Sequence, residues 1–210
     1  MTTRLSKKDE ILACAVELFQ KQGFDAVTLD RICEKAGVTK TTFYYYYQTK
    51  EDVLLDYFSL ENIYSGDELL SILASGDYLD QLIRINLIYT KHMTRGGVEL
   101  TRELLRINLK KKRISFSPGK LYPRDTLLTL MWHAKEKGQI QSPIPLEALY
   151  ESMIYLLDGI CFVWAMGNGE FDIIEKSKEQ LLLFFQSGDA EYSIKKPPKG
   201  AKTGRKPPHG

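Results

Sequence analysis

The chain has 210 residues, 43% of them hydrophobic and 27% charged, with a formal net charge of +2, enough apolar content to bury a sizeable core and too much for a disordered chain. Three cysteines, Cys14, Cys33 and Cys161, form no CxxC pair, so neither a disulfide framework nor a zinc site is expected, and a reducing, cytoplasmic setting is the natural reading. The N-terminus has no secretory apolar region, and the apolar stretch 153–166 is interrupted by Asp158 and falls short of the roughly 20 residues that span a bilayer, so no membrane partner is expected.

Apolar residues recur at helical spacing along nearly the whole chain, and no alternating run is bounded by hairpin turns, which predicts an all-α fold. The first helix is expected over 6–22, with Ile11, Leu12, Ala15, Val16, Leu18 and Phe19 on one face and Gly23 as a left-handed C-terminal cap. A short second helix runs from the N-cap Thr28 to Gly37, and "VTKTTF" opens a third that ends near residue 48. Thr49 then caps a fourth, with Asp52 at its positive end. Three short helices around a tight Ala36-Gly37-Val38 turn make a helix-turn-helix arrangement.

The stretch ILACAVELFQKQGFDAVTLDRICEKAGVTKTTFYYYYQTKEDVL resembles the DNA-binding domain of the TetR family of bacterial transcriptional regulators. The features that carry the resemblance follow at fixed spacing: "F..GF" closing the first helix, "T...I...AGV" through the second, and "T.FYYYY..K..L" through the third. Two positions depart from the common pattern: Tyr47, where Phe is usual, and Tyr46, where His is frequent. The resemblance implies a homodimer on double-stranded DNA, with the helix after the turn in the major groove of a palindromic operator. It also implies a larger helical C-terminal domain that takes a small effector, and repression relieved by that effector. The expected division is a DNA-binding domain at 1–50, an effector-binding and dimerisation domain at 51–188, and a basic, disordered tail at 189–210. Net charge follows it: +2 over 1–50, −4 over 51–188 and +4 over 189–210.

Helical spacing places Phe43 and Tyr47 on the face shared with Ile32, Ala36 and Val38, which assigns both to the core. Tyr44 and Tyr46 then present phenols towards a duplex, where hydroxyls bond phosphates, and Tyr45 and Tyr46 either do so or pack on a neighbouring helix. Lys50 and Thr28, each at a helix N-terminus, are further expected phosphate ligands. Base reading falls to Thr39, Lys40, Thr41 and Thr42: a lysine donates to guanine O6 and N7, and a threonine methyl packs on thymine. Arg4, Lys7 and Lys8 form either an arm on DNA or a solvated terminus.

Further helices are expected near 53–64, 67–74, 78–94, 97–112, 123–137, 146–166 and 171–186, with Pro118, Pro123, Pro143 and Pro145 between them. The segment LEALYESMIYLLDGICFVWAM is apolar nearly all round, so its helix must be covered on two sides. A second subunit packing as an isologous four-helix interface would supply the second cover, through Leu149, Met153, Leu156, Ile160, Leu181, Leu182 and Phe185. A pocket for a lipophilic or aromatic effector is expected among Tyr89, His92, Met93, Trp132, His133, Tyr155 and Trp164. The competing reading is a DNA-binding adaptor or activator with no small ligand. GxSxG, P-loop, HExxH and GxGxxG patterns are all missing, so no enzyme activity, metal or cofactor is expected.

Overall fold

The computed structural model describes residues 6–111 and 123–186, and every regular element among them is helical. The first, α1 (Lys7–Gln22), starts at a reciprocal cap: the Asp9 N–H donates to the Ser6 hydroxyl at 3.2 Å, and the Ser6 N–H donates to the Asp9 carboxylate at 3.1 Å. Its buried stripe of Ile11, Ala15, Leu18 and Phe19 turns inward. Gly23 ends α1 with a φ of 82° but an extended ψ of 148°, so the left-handed cap expected there does not form. Gly37 does form one, at φ 61° and ψ 37°, closing α2 (Leu29–Ala36). Its N–H and that of Val38 donate back to the Glu34 and Cys33 carbonyls, which turns the chain sharply into α3 (Lys40–Tyr46).

Thr39 and Thr49 cap α3 and α4 (Lys50–Tyr57) by accepting from the Thr42 and Asp52 N–H groups. Phe43 and Tyr47 are buried as the helical spacing requires. The Tyr47 hydroxyl donates to Asp56 at 2.6 Å, and Lys8 pairs with the same carboxylate at 3.0 Å, so one acid ties α1 and α4 to the end of α3. Burial pushes the Tyr47 phenol well above its ordinary pKa, and the bond to Asp56 raises it further.

Phe58 and Ser59 break the helix expected over 53–64, leaving a short α5 (Leu60–Ile63) before α6 (Gly66–Leu73). The two helices expected at 78–94 and 97–112 form a single run, α7 (Tyr78–Lys111), kinked at Gly97, whose φ of 84° and ψ of 168° are outside helical space. Then follow α8 (Arg124–Glu136), α9 (Leu146–Met166) and α10 (Ile173–Gln186). Helices α1, α4, α5, α6, α8, α9 and α10 all pack on α7, which makes it the spine of the molecule. With 21 residues and an 18-residue stretch of mean hydropathy 1.3, α9 is long and apolar enough to cross a membrane, contrary to the sequence expectation, but nine of its residues face the protein core. The tail at 189–210, Arg4 and Pro118 lie outside the described residues.

The helix-turn-helix unit meets the spine just before its kink. Gln20 donates to the Arg95 carbonyl at 2.6 Å, and a Cβ on Gly96 would stand 3.2 Å from the rings of both Phe58 and Tyr57. The His92 ring lies 4.4 Å from the Tyr57 ring, and its Nε2–H donates to the Tyr57 carbonyl at 3.0 Å. Burial holds the imidazole neutral by pulling its pKa from the ordinary 6.5 to about 4. A histidine pKa lower in the folded than in the unfolded chain means that the unfolded form takes up the proton first. Stability is therefore complete above 6.5 and lost as pH falls towards 4. The melting temperature should drop across that interval, and His92→Gln should flatten the drop; an unchanged acid limb in the variant would show that the junction does not depend on a neutral imidazole.

Candidate nucleic-acid interface

Threonine caps, the left-handed turn at Gly37 and the buried Phe43 together fix which side of α3 faces outward. That side carries Thr39, Lys40, Thr41, Tyr44, Tyr45 and Tyr46, all exposed, with Thr42 half-buried. Tyr45 is 81% exposed while its neighbour two residues back, Phe43, is fully buried, so the aromatic run divides by helical face. Tyr45 and Tyr46 pack edge to face at 4.8 Å, and the hydroxyls of Thr39 and Thr42 share a hydrogen bond of 3.0 Å. The Thr28 hydroxyl accepts from the Arg31 N–H at 3.3 Å, which leaves the exposed start of α2 beside the start of α3. Between them Lys40 and Asp30 form an ion pair at 2.7 Å, both side chains more than half exposed. Hydrogen bonding to Asp30 raises the Lys40 pKa.

Lys50 departs from its expected phosphate role. Its ammonium donates to the carbonyls of Phe24 at 2.7 Å, Val27 at 3.1 Å and Asp25 at 3.3 Å, and it sits 4.4 Å from the centre of the Phe24 ring. An ammonium has three protons, and three carbonyls use them. Lys50 thus clamps the α1–α2 loop to the start of α4 instead of projecting outward.

The same economy extends across the unit. Lys7 pairs with Glu10, Lys8 with Asp56, Lys21 and Lys35 with Glu17, and Lys40 with Asp30. The bonds from Lys21 and then Lys35 hold the Glu17 carboxyl at about 2. Arg31, exposed in the first turn of α2, makes no ion pair with another described residue. Sequence reading passed over both Arg31 and Asp30, although their place one turn from the Thr28 cap was visible.

The seven residues expected to line one effector pocket do not converge. Tyr89 and Met93 are in the core, with Tyr89 hydrogen-bonded to Cys161. His92 faces the junction with α1, His133 stacks on Tyr78 at 4.7 Å with half-exposed Trp132 against its edge, and Trp164 is buried under Gly169. Tyr155 is 60% exposed on the outside of α9. The residues expected at a subunit interface do not form one outward face either. Leu149, Met153, Leu181 and Phe185 belong to the chain's own core, Leu182 is half-buried, and only Leu156 and Ile160 reach a groove between α9 and α10. The outward apolar residues are Tyr155, Phe162, Val163 and Met166 of α9 and Leu183 of α10. A groove of about 510 Å³ lies on either side of the Tyr155–Gly159 ridge.

Inside the C-terminal helices, polar atoms gather in carbon surroundings. The hydroxyls of Tyr64 and Tyr150 and the side-chain oxygen of Asn86 are buried without a hydrogen-bond partner. After burial itself, Asp158 is a shared influence: its charge contributes to keeping Tyr64, Tyr89, Tyr150 and the Cys161 thiol protonated. Among the described residues no three His, Cys, Asp or Glu side chains gather as metal ligands.

A capped recognition helix rich in hydroxyls, carried on a helical body, defines a helix-turn-helix regulator of transcription. Residues 11–57 match the family described as bacterial regulatory proteins, tetR family, and over the rest of its length the chain is similar to regulators of that family. It is 21% identical over 196 residues to the fatty acid metabolism regulator protein of Bacillus subtilis, covering 87% of this chain and 96% of that one. The fold is similar to that of FadR from Thermus thermophilus, a TetR-family repressor solved with lauroyl-CoA (TM-score 0.64, 26% identity, 90% of this chain and 98% of that one). FadR from Bacillus subtilis, solved with stearoyl-CoA, is similar over 86% of this chain and 98% of its own (TM-score 0.55, 20% identity).

Lys50→Ala should lower the free energy of unfolding by about 2 kcal/mol, because three carbonyls lose a charged donor. Urea denaturation measures it; a variant as stable as the parent that nevertheless binds DNA weakly would return Lys50 to the phosphate role.

Proposed function

We propose that the protein is a homodimeric repressor of the bacterial cytoplasm that holds a palindromic operator and is released by a long-chain acyl thioester of coenzyme A. In this reading residues 1–50 bind DNA and 51–188 bind the effector and the second subunit. Thr39, Lys40, Thr41 and Thr42 meet base edges, while Tyr44, Tyr45, Tyr46 and the N–H groups capped by Thr28 position the phosphates. One short helix reads few base pairs. Two, related by a two-fold axis and about 34 Å apart, read successive turns of the major groove.

The observation that carries the effector reading is the group of unpartnered phenols in the C-terminal core. Each buried hydroxyl without a partner costs about 1–3 kcal/mol, and Tyr64 and Tyr150 are two of them near one carboxylate. A thioester carbonyl would accept from these phenols while its acyl chain lies among the surrounding aliphatic side chains. The Arg124 guanidinium, 5.8 Å from the centre of the Tyr150 ring and paired with Glu147, stands where a phosphate could replace that acid. The two FadR proteins solved with acyl-CoA ligands favour the same ligand class. Release requires that the ligand bind the form that does not fit DNA more tightly than the form that does. The dimer reading is supported by the outward Tyr155, Phe162, Val163, Met166 and Leu183, an apolar face that water covers poorly.

Lauroyl-CoA should lower affinity for DNA selected from a random pool by tenfold or more, while free coenzyme A should not; equal affinity with and without the thioester, read by fluorescence anisotropy, would remove the effector class. Val163→Asp should halve the sedimentation mass and abolish binding to the selected site. An unchanged mass would place the subunit contact elsewhere.

A further inference from the structure

The Asp30–Lys40 ion pair sits between the starts of α2 and α3, and the DNA-reading role proposed above gives neither residue a reason to be joined to the other. A carboxylate on a surface that meets a polyanion repels phosphate on every sequence. Pairing with Lys40 offsets that repulsion, and a hydrogen bond from the nucleic acid would turn it into selectivity. The donors available in the major groove are the amino groups of cytosine and adenine. Resting on that DNA-reading proposal, we propose that Asp30 and Lys40 act together as a two-residue reader of one base pair, which sets the orientation of its keto and amino bases in each half-site.

The geometry supports this pairing of roles. Lys40 Nζ and Asp30 Oδ1 are 2.7 Å apart, and both side chains are more than half exposed. Within a Watson–Crick pair, guanine O6 and cytosine N4 are hydrogen-bond partners roughly 2.9 Å apart. The pair's donor and acceptor therefore match the spacing of an acceptor and a donor on the base edges. Lys40 donates to O6 and Asp30 accepts from N4–H, which closes a ring of alternating charge and dipole. A T·A pair offers the same order, O4 then N6–H, whereas C·G and A·T offer the reverse and set donor against donor. Guanine is preferred over thymine beneath Lys40 because its N7 adds a second acceptor. The plainer role, an acid in the first turn of α2 favouring the helix N-terminus, leaves base preference untouched.

Four forms of the full chain distinguish the two: the parent, Asp30→Ala, Asp30→Asn, and the exchanged pair Asp30→Lys with Lys40→Asp. Each is used to select bound duplexes from a random pool. In the parent, one position of each half-site should carry guanine, then thymine, on one strand. Asp30→Ala should weaken that preference about tenfold and leave the other positions as they were. Asp30→Asn, which keeps an acceptor and loses the charge, should retain the preference while binding random DNA more tightly. The exchanged pair should prefer cytosine or adenine at that position. The inference is overturned if Asp30→Ala selects the parental site with affinity raised equally on all sequences, or if the exchanged pair keeps the parental orientation. A parent that enriches no sequence at all would overturn the DNA-reading proposal itself, and this inference with it.

Discussion

The contact between Gly96 and the aromatic rings at the end of α4 decides how the rest of the molecule is arranged. A Cβ on Gly96 would stand 3.2 Å from both rings, closer than side chains ordinarily pack, so the spine helix and α4 meet in a contact that favours glycine. One residue later Gly97 leaves helical space, and α7 changes direction where the helix-turn-helix unit is seated against it. From α4, two charged side chains reach back into that unit: Lys50 to the carbonyls of the α1–α2 loop and Asp56 to Tyr47 and Lys8. The reading helix is thus joined to the C-terminal helices through packed rings, one carboxylate and one ammonium. For the effector proposed above to act, it must favour a second arrangement of these same contacts.

Near the turn, the chemistry separates by helical face. Tyr47 belongs to the interior but keeps a polar task, since its hydroxyl has a carboxylate waiting at 2.6 Å, and phenylalanine at this position would leave Asp56 with one partner fewer. Tyr45, two residues earlier, stands almost fully in solvent. Exposing an aromatic ring so completely is unfavourable in the free protein, and it is the kind of side chain that gains from a surface laid against it. The four consecutive tyrosines are accordingly distinct environments on a seven-residue helix and its cap.

Much of this was readable from the residues. Caps at Thr28 and Thr49, the turn at Gly37 and the burial of Phe43 follow from local rules, because a helix end needs an acceptor and a tight turn needs glycine whatever surrounds them. The Lys50 clamp was not readable, because a lysine beside a helix N-terminus looks the same in sequence whether its head meets a phosphate or carbonyls 23 to 26 residues away. The outward apolar face of α9 was misplaced by part of a turn for a related reason. α9 is apolar nearly all round, so periodicity could not choose which stripe, Leu149 and Met153 or Tyr155 and Phe162, faces the chain's own core. The internal phenols were missed because unsatisfied hydroxyls are a property of packing, and a tyrosine in an apolar run carries no sign of whether its oxygen finds a partner.

The way positive charge is used up within residues 6–50 bears on the surroundings in which the protein works. Each of the six lysines there is held by an acid or by carbonyl oxygens of the same chain. A protein that meets DNA with many unpaired cations displaces as many condensed counterions, and its hold then varies steeply with ionic strength. This unit has few to offer beyond Arg31 and must rely on hydroxyls, backbone N–H groups and ring contacts. Its hold on DNA should therefore vary little as the surrounding potassium concentration rises or falls.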